Sequence, residues 1–171
     1  MGNTSSSSGK AGTGRRDTGE KLIASNPIAR SNYFIDEEVE AGLVLTGTEV
    51  KSLRATAPNL REAFVEVRQR GDTYEAWLLN SNVAHYVHGN IWNHDPARRR
   101  KLLLHSHQLK SLYISITQKG MSVIPLRMYF KNGLAKVELG VGKGKKKYDK
   151  RETLKKKSAE REMEIERKER G

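Results

Sequence analysis

The side chains in this 171-residue chain that could do metal chemistry are its five histidines, four of which stand in close pairs. His85 and His88 are three positions apart, and a single residue separates His105 from His107. Imidazole nitrogens at short spacing can ligate zinc or another transition metal. Neither spacing matches a known ligand motif, and no carboxylate accompanies two of the histidines. We therefore predict polar surface residues, with no metal and no cofactor.

Acidic side chains are the other candidates for catalysis. Asp36, Glu38 and Glu40 alternate along a predicted strand, so they share one side of it. The same alternation is typical of a solvated edge that blocks unwanted pairing. The glycine and lysine run at 142–145 lacks the spacing of a phosphate-binding loop, and no nucleophile stands with a general base. The sequence therefore predicts a protein that is not an enzyme.

Positive charge is concentrated at the end of the chain. Residues 143–171 carry 13 Lys and Arg against 7 Asp and Glu, a net charge of +6, whereas residues 32–142 carry a net charge of only +3. Half of the formal net charge of +12 therefore lies in the last 29 residues. Such a distribution indicates a phosphate-rich partner, because each neutralised phosphate releases condensed counterions.

Composition divides the chain into three parts. Residues 1–21 are rich in Ser, Gly and Thr and predict a disordered tail, because they cannot bury enough apolar surface to offset their ordering entropy. Residues 22–142 predict one folded domain, and residues 143–171 predict a basic tail. With no cysteine, no signal peptide and no run of about 18 apolar residues, we expect a soluble cytoplasmic protein without a membrane partner.

The pair Asn132-Gly133 gives the most definite structural prediction. It favours a two-residue type I′ turn. Folding the chain there aligns apolar residues on one face and sets Arg127 opposite Glu138 on the other. A slip of one residue would invert both faces. The predicted apolar pairs are Phe130 with Ala135, Met128 with Val137, Leu126 with Leu139, and Ile124 with Val141.

Periodicity places the remaining elements. Gly42 is expected to break the strand of residues 33–45, and Gly71 lies in a turn between two paired strands. The spacing of apolar residues predicts one long helix over residues 106–119 that ends at Gly120. The other predicted elements are the paired strands in residues 63–70 and 74–80, a short helix in residues 46–54, and a polar loop over residues 87–100.

These elements together predict a mainly β fold. Short strands with glycine breaks and one packed helix favour a small closed antiparallel β-barrel of the oligonucleotide-binding type, with peripheral α-helices and a basic C-terminal tail. An open sandwich of a sheet and a helix is the alternative.

Four collinear segments, residues 41–54, 93–105, 129–133 and 142–151, carry a resemblance that extends over roughly residues 22–160. In these segments the chain closely resembles the small protein B family, the transfer-messenger-RNA-binding proteins of bacterial trans-translation. The resemblance implies a barrel that binds the tRNA-like domain of transfer-messenger RNA, supports its alanylation and delivers it to stalled ribosomes. Alanyl-tRNA synthetase and elongation factor Tu would be partners indirectly, through the RNA.

The resemblance also implies which residues contact the RNA. Glu40, Leu103 and His105 fall at family positions that touch the RNA elbow, and Asn26 lies near them. The basic residues beside Leu103 supply charge for phosphates. The remaining RNA-binding residues predicted are Arg30, Lys51, Arg98, Arg99, Arg100 and Lys101.

The basic tail is assigned by the same resemblance to the ribosome. There it would occupy the empty message channel beyond the decoding centre and become helical. Pairs at i, i+4 such as Glu164 with Lys168 permit this helix. The apolar residues of the tail form no broad stripe, so we expect the helix to need its RNA partner. The tail residues implied are Lys143, Lys145, Lys146, Asp149, Lys150 and Arg151.

One segment departs from the family pattern. After Asn26 the family has basic residues and a histidine, whereas this chain has Pro27, Ile28 and Ser31, so Arg30 is the one basic residue of the run.

Two other functions stay open. A general single-stranded nucleic-acid-binding barrel would need an aromatic platform beside a basic groove. A metal-dependent nuclease would need the histidine pairs to converge.

Overall fold

The computed structural model describes residues 19–89 and 92–171, and only the backbone of Tyr148. Within these residues seven strands form one antiparallel sheet in the order β1-β6-β7-β2-β5-β4-β3. In the same residues four helices accompany the sheet. The elements are β1 (Glu20–Ser25), α1 (Ala29–Asn32), β2 (Tyr33–Leu43), α2 (Gly47–Ala55), β3 (Phe64–Arg70), β4 (Thr73–Leu79), β5 (Arg100–Leu103), α3 (Ser106–Thr117), β6 (Ser122–Lys131), β7 (Leu134–Gly144) and α4 (Lys147–Arg170).

The predicted closure into a barrel is wrong. In the described part of the chain β1 and β3 end the sheet, and β3 approaches β6 without pairing to it. The Asn26 side-chain amide donates to the carbonyl oxygens of Leu60 and Pro125, both at 3.1 Å. Pro125 also has no N–H to offer a neighbouring strand. A cleft of about 560 Å³ therefore remains between β3 and β6, and the sheet stays open.

The predicted hairpin at Asn132-Gly133 is confirmed from its turn to Arg127 and is wrong from Leu126 onward. Both turn residues have positive φ, 51° and 77°, as a type I′ turn requires. The register then shifts between Pro125 and Arg127, because a bulge accommodates the missing proline N–H. The pairs of Phe130 with Ala135 and Met128 with Val137 occur as predicted, but Leu139 faces Pro125 and Ile124 faces Gly140.

The bulge changes which side of the sheet receives the apolar residues. Leu126 and Ile124 leave the main core and pack with Ala29 in a second, smaller cluster. Gly140 makes this possible, because a Cβ there would lie 2.9 Å from Leu126 Cδ2. The amino end of β6 therefore anchors α1 against the sheet.

The other predicted elements are present with small changes. The helix after Thr46 forms with a capping box, in which the Thr46 N–H donates to Glu49 Oε1 at 3.1 Å. The irregularity of β2 lies between Ile35 and Glu37, not at Gly42. β2 is also a central strand, between β7 and β5, so its acidic residues do not protect a sheet edge.

The main core lies between the sheet and α3. Leu112 of α3 is buried in it, and the Tyr113 ring lies 4.9 Å from the Tyr74 ring of β4. The helix ends before Gly120, whose φ is 63°. The buried residues of the sheet include Ala41, Leu43, Val65, Val67, Ala76, Leu78, Leu102, Met128, Val137 and Leu139.

The opposite side of β7, β2, β5 and β4 is not covered by α3, and we call it the outer face. Side chains alternate across each strand, so the neighbours of the buried residues point to this side. The outer face carries Lys136, Glu40, Leu103, Lys101 and Trp77.

The tail forms α4, which meets the rest of the protein at α1. The Lys145 N–H donates to the Asn32 carbonyl at 2.7 Å, and Lys157 Nζ lies 3.4 Å from Ser31 Oγ. Glu164 and Lys168 form the expected i, i+4 pair at 3.1 Å. Of the predicted N-terminal tail, residues 1–18 lie outside the described residues, and its last two residues begin β1.

Candidate nucleic-acid interface

Three of the predicted contact residues lie together on the outer face. Glu40, Leu103 and His105 line one groove of about 510 Å³, which we call the outer groove. The pairing of β2 with β5 and β7 brings them together, because Gly42 stands opposite both Leu103 and Lys136. The other described residues that line the groove are Gly42, Leu104, Gln108 and Lys136.

The exposure of Leu103 follows from strand alternation and from the glycine beside it. Leu102 is buried in the core, so Leu103 points outward and 57% of it is exposed. A Cβ on Gly42 would lie 3.2 Å from the Leu103 Cβ. The absence of a side chain at Gly42 therefore gives Leu103 room on the floor of the outer groove.

Glu40 supplies a carboxylate acceptor to the outer groove. The Tyr129 hydroxyl donates to it, and Lys131 Nζ lies 3.7 Å away. The hydrogen bond from Tyr129 holds the pKa of Glu40 below its usual range, against the smaller opposing effect of burial. Burial, reinforced by Glu40, raises the pKa of Tyr129. Glu40 is thus ionised at neutral pH and can accept from ribose hydroxyls or base N–H groups.

His105 combines a structural and a surface role. His105 is the N-cap of α3, and its backbone N–H donates to Gln108 Oε1 at 3.0 Å. Its exposed ring stacks on His107 with ring centroids 5.7 Å apart and planes 8° apart. The outer groove is therefore bordered by an apolar side chain and a flat imidazole, both suited to contact a base or a ribose.

The basic run from Arg98 to Lys101 is divided between interior and surface. Arg100 is fully buried, pairs with the equally buried Glu49, and donates to the Ser81 carbonyl at 2.7 Å. Arg98 also donates to Glu49, with an Nε to Oε1 distance of 2.9 Å. The prediction that Arg100 contacts RNA is therefore corrected, because its guanidinium is enclosed and occupied within the protein.

Arg99 and Lys101 are the members of this run that face outward. The Arg99 guanidinium carbon lies 4.7 Å from the centre of the Trp77 ring. Lys101 stands opposite Trp77 in the register of β4 and β5, with Nζ 3.9 Å from Glu75. Trp77 was not predicted from the sequence as a contact residue. The available signal was its place between the apolar Ala76 and Leu78, because a residue between two inward-facing positions of a strand points outward.

Asn26, Arg30 and Lys51 lie away from the outer groove, since the described residues that line it include none of them. Asn26 is nearly buried and uses its amide to hold two backbone carbonyls near the β3–β6 cleft. Arg30 pairs with Glu38 on the side of α1. Lys51 is exposed on α2, with Nζ 5.5 Å from the centre of the Tyr86 ring.

The predicted tail residues surround the start of α4. Asp149 accepts a hydrogen bond from the Lys146 N–H at 3.3 Å, and the Lys150 N–H donates to the Lys146 carbonyl at 3.1 Å. Lys145 Nζ donates to the Arg30 carbonyl at 3.0 Å. The side chains of Lys143, Lys146 and Arg151 are exposed.

The histidine pairs do not converge on one another. His94 is buried, with Nδ1 2.9 Å from Thr48 Oγ1 and Nε2 3.0 Å from the Val83 carbonyl oxygen, so it fixes the loop between β4 and β5. Over residues 19–89 and 92–171, no group of three or more His, Cys, Asp or Glu side chains is arranged to hold a metal ion. The helices of the same residues include none that combines the length and apolarity needed to cross a membrane.

Comparison with known proteins gives a consistent result. The family model described as SmpB protein matches residues 23–169. The SsrA-binding protein of Geobacter metallireducens is 56% identical over 145 residues, which cover 85% of this chain and 92% of the relative. That of Pelobacter propionicus is 55% identical over 145 residues, covering 85% and 93%.

A solved structure is similar over most of its length. It is described as "tmRNA-SmpB: a journey to the center of the bacterial ribosome" and is 41% identical in sequence. The match has a TM-score of 0.60 and covers 78% of this chain and 95% of that one. These matches confirm the resemblance that the four sequence segments indicated, and the chain belongs to the SmpB (small protein B) family.

Proposed function

We propose that the protein binds the tRNA-like domain of transfer-messenger RNA and delivers it to stalled ribosomes for trans-translation. The observation that carries this proposal is the convergence of Glu40, Leu103 and His105 in the outer groove. The relatives are named for binding SsrA, and the similar solved structure is named for tmRNA. The role is one of binding rather than catalysis, and it is exercised in the cytoplasm where ribosomes work.

The chemistry of the outer groove favours structured RNA over a bare backbone. Glu40 is an anion, so it repels phosphates and favours ligands that present hydroxyl or N–H donors. Leu103 adds an apolar contact, and Lys136 adds a cation within the same groove. Ribose 2′-hydroxyls and the edges of loop bases provide the donors and the flat apolar surfaces that match this set.

The tail is proposed to act on the ribosome. From Leu154 to its end α4 is exposed, and its apolar residues Leu154, Met163 and Ile165 form no broad stripe, so a long helix of this composition requires an external partner to stabilise it. The net charge of +6 over residues 143–171 suits a channel walled by RNA phosphates. We propose that this segment occupies the empty message channel beyond the decoding centre. Alanyl-tRNA synthetase and elongation factor Tu would meet the protein indirectly, through the bound RNA.

Substitution of Leu103 by glutamate is the test of the outer groove. The change removes an apolar contact and adds an anion beside RNA, so we expect the affinity for the isolated tRNA-like domain to fall by about tenfold or more, roughly 1.4 kcal/mol. Leu154→Glu is the matched control, because Leu154 is also a leucine with 57% exposure and lies on α4, outside the outer groove. The control should bind like the parent. Equal affinity of both variants would remove the outer groove from the interface.

A competition experiment distinguishes specific binding of the tRNA-like domain from general binding of single-stranded nucleic acid. If the protein is a general single-stranded nucleic-acid-binding protein, an unstructured RNA of equal length should displace the tRNA-like domain at similar concentration. We expect weak displacement instead. The parent should also lose affinity steeply with salt, and Lys101→Ala should reduce the log–log slope by about one or less, as for one lost phosphate contact.

A further inference from the structure

The outer groove continues into a second group of side chains on β4 and β5. Lys101 and Leu103 are two residues apart on the outer side of β5, a separation of about 6.6 Å along a strand. Trp77 stands directly opposite Lys101. A ligand that covers Leu103 therefore reaches the indole ring without leaving the sheet.

Arg99 is the distinctive cation of this region. Its guanidinium carbon lies 4.7 Å from the centre of the Trp77 ring. Among the described residues no carboxylate lies within 4.0 Å of it, whereas its basic neighbours have acidic partners. These pairs are Lys101 with Glu75 at 3.9 Å, Arg70 with Glu75 at 3.3 Å, and Arg68 with Glu66 at 3.0 Å.

The acidic residues around Trp77 indicate what the indole can receive. Glu66 stands opposite Trp77 on β3, and Glu75 lies two residues before it on β4. Each of these carboxylates is paired with a basic side chain, so neither repels a neutral base that lies against the ring. Indole rings and guanidinium planes are both stacking partners for unpaired bases in RNA recognition.

We propose that Trp77 and Arg99 form a stacking platform for one unpaired nucleobase of the RNA held in the outer groove. This inference rests on the proposed RNA-binding function. The base must come from a loop or another unpaired segment, because a base inside a duplex does not expose its face. Arg99 contributes its planar guanidinium as well as its charge, and Trp77 is the base-contacting residue that extends the footprint across β4.

Tryptophan emission gives a direct test, because the chain contains only Trp77 and Trp92. In the full-length Trp92→Phe variant, addition of the isolated tRNA-like domain should quench the remaining Trp77 emission and protect it from acrylamide. In the Trp77→Phe variant the 83% exposed Trp92 should show neither effect. Unchanged Trp77 emission with RNA bound would overturn the proposal, and so would equal quenching of both residues.

Two substitutions of Arg99 separate a planar contact from a point charge. Arg99→Gln and Arg99→Lys should each weaken binding by about tenfold, roughly 1.4 kcal/mol, because each loses a stacking contact with the base. Arg99→Lys should keep the salt slope of the parent. Parent-like binding of Arg99→Lys would show that only a charge is needed and would overturn the stacking role. Failure of the parent itself to bind the tRNA-like domain would count against the proposed function instead.

Discussion

Replacement of Glu49 by alanine is expected to lower the free energy of unfolding by about 3–5 kcal/mol, because it leaves a buried cation without its partner. Glu49 and Arg100 both have no exposed surface. Arg98 reaches the same carboxylate from the protein surface. A whole domain is stable by about 5–15 kcal/mol, so this single change should remove a large part of the total. Urea-induced unfolding measures the difference.

The control is a double variant in which Glu49 and Arg100 are both methionine. Replacement of a buried ion pair by apolar side chains is often neutral or stabilising, so the double variant should unfold close to the parent. A single Glu49→Ala variant that unfolds within about 1 kcal/mol of the parent, less than one ordinary hydrogen bond to a charged group, would show that the pair does not hold the loop between β4 and β5.

The Glu49 carboxylate also makes the stability of the protein depend on pH in a predictable direction. Burial opposes ionisation of Glu49, but hydrogen bonds from Arg100, the Thr46 backbone and Arg98 outweigh it and hold the pKa below its usual range. Because the pKa of Glu49 is lower in the folded than in the unfolded protein, ionisation of Glu49 stabilises the fold. This stabilisation is complete at pH values above the unfolded pKa, and it is lost as the pH falls towards the folded pKa. Acid should therefore destabilise the parent more than the double methionine variant.

Joint replacement of Asp149, Lys150 and Arg151 by alanine should strongly reduce rescue of stalled ribosomes while leaving RNA binding nearly intact. Affinity for the isolated tRNA-like domain should stay within about threefold, under ~0.7 kcal/mol, because the outer groove lies on the sheet and not on α4. Rescue should fall by tenfold or more, on the order of 1.4 kcal/mol, since a helix without an apolar face gains its order from ribosomal RNA. A reconstituted stalled-ribosome assay beside a binding titration compares the two.

The chain offers a charge-matched control for this prediction. Arg167, Lys168 and Glu169 also comprise two bases and one acid, and they lie at the far end of α4. Their replacement by alanine removes the same net charge but keeps Asp149, which accepts from the Lys146 N–H where α4 begins. We expect this control to retain most rescue activity. Equal losses of RNA binding and rescue in the first variant would place the tail in the primary RNA site.

Local sequence rules predicted much of the fold but not its closure. The turn at Asn132-Gly133, the hairpin at Gly71 and the two helices after Thr46 and His105 follow from short-range signals and are confirmed. The barrel prediction was wrong because closure depends on contacts distant in sequence. Asn26 and Pro125 are far apart in the chain, yet they meet where the amino end of β6 approaches β3 without pairing to it.

The interface shows the same division. A run of four basic residues gives no indication of which members face water, and only the alternation imposed by buried Leu102 assigns Arg100 to the interior. Trp77 was missed because a lone tryptophan in a strand is as often part of a core. The residues of the outer groove were taken from the family resemblance, and the pairing of β2 with β5 supplies the physical reason that they meet.

Identification of the RNA that co-purifies with the protein tests the central claim most directly. The full chain and its Leu103→Glu variant would be expressed in the same bacterial host, isolated under low salt, and their bound RNAs sequenced. We predict that transfer-messenger RNA dominates the RNA recovered with the parent and is strongly depleted with the variant. Recovery of mixed single-stranded RNAs with the parent, or equal recovery of transfer-messenger RNA with both proteins, would contradict the account.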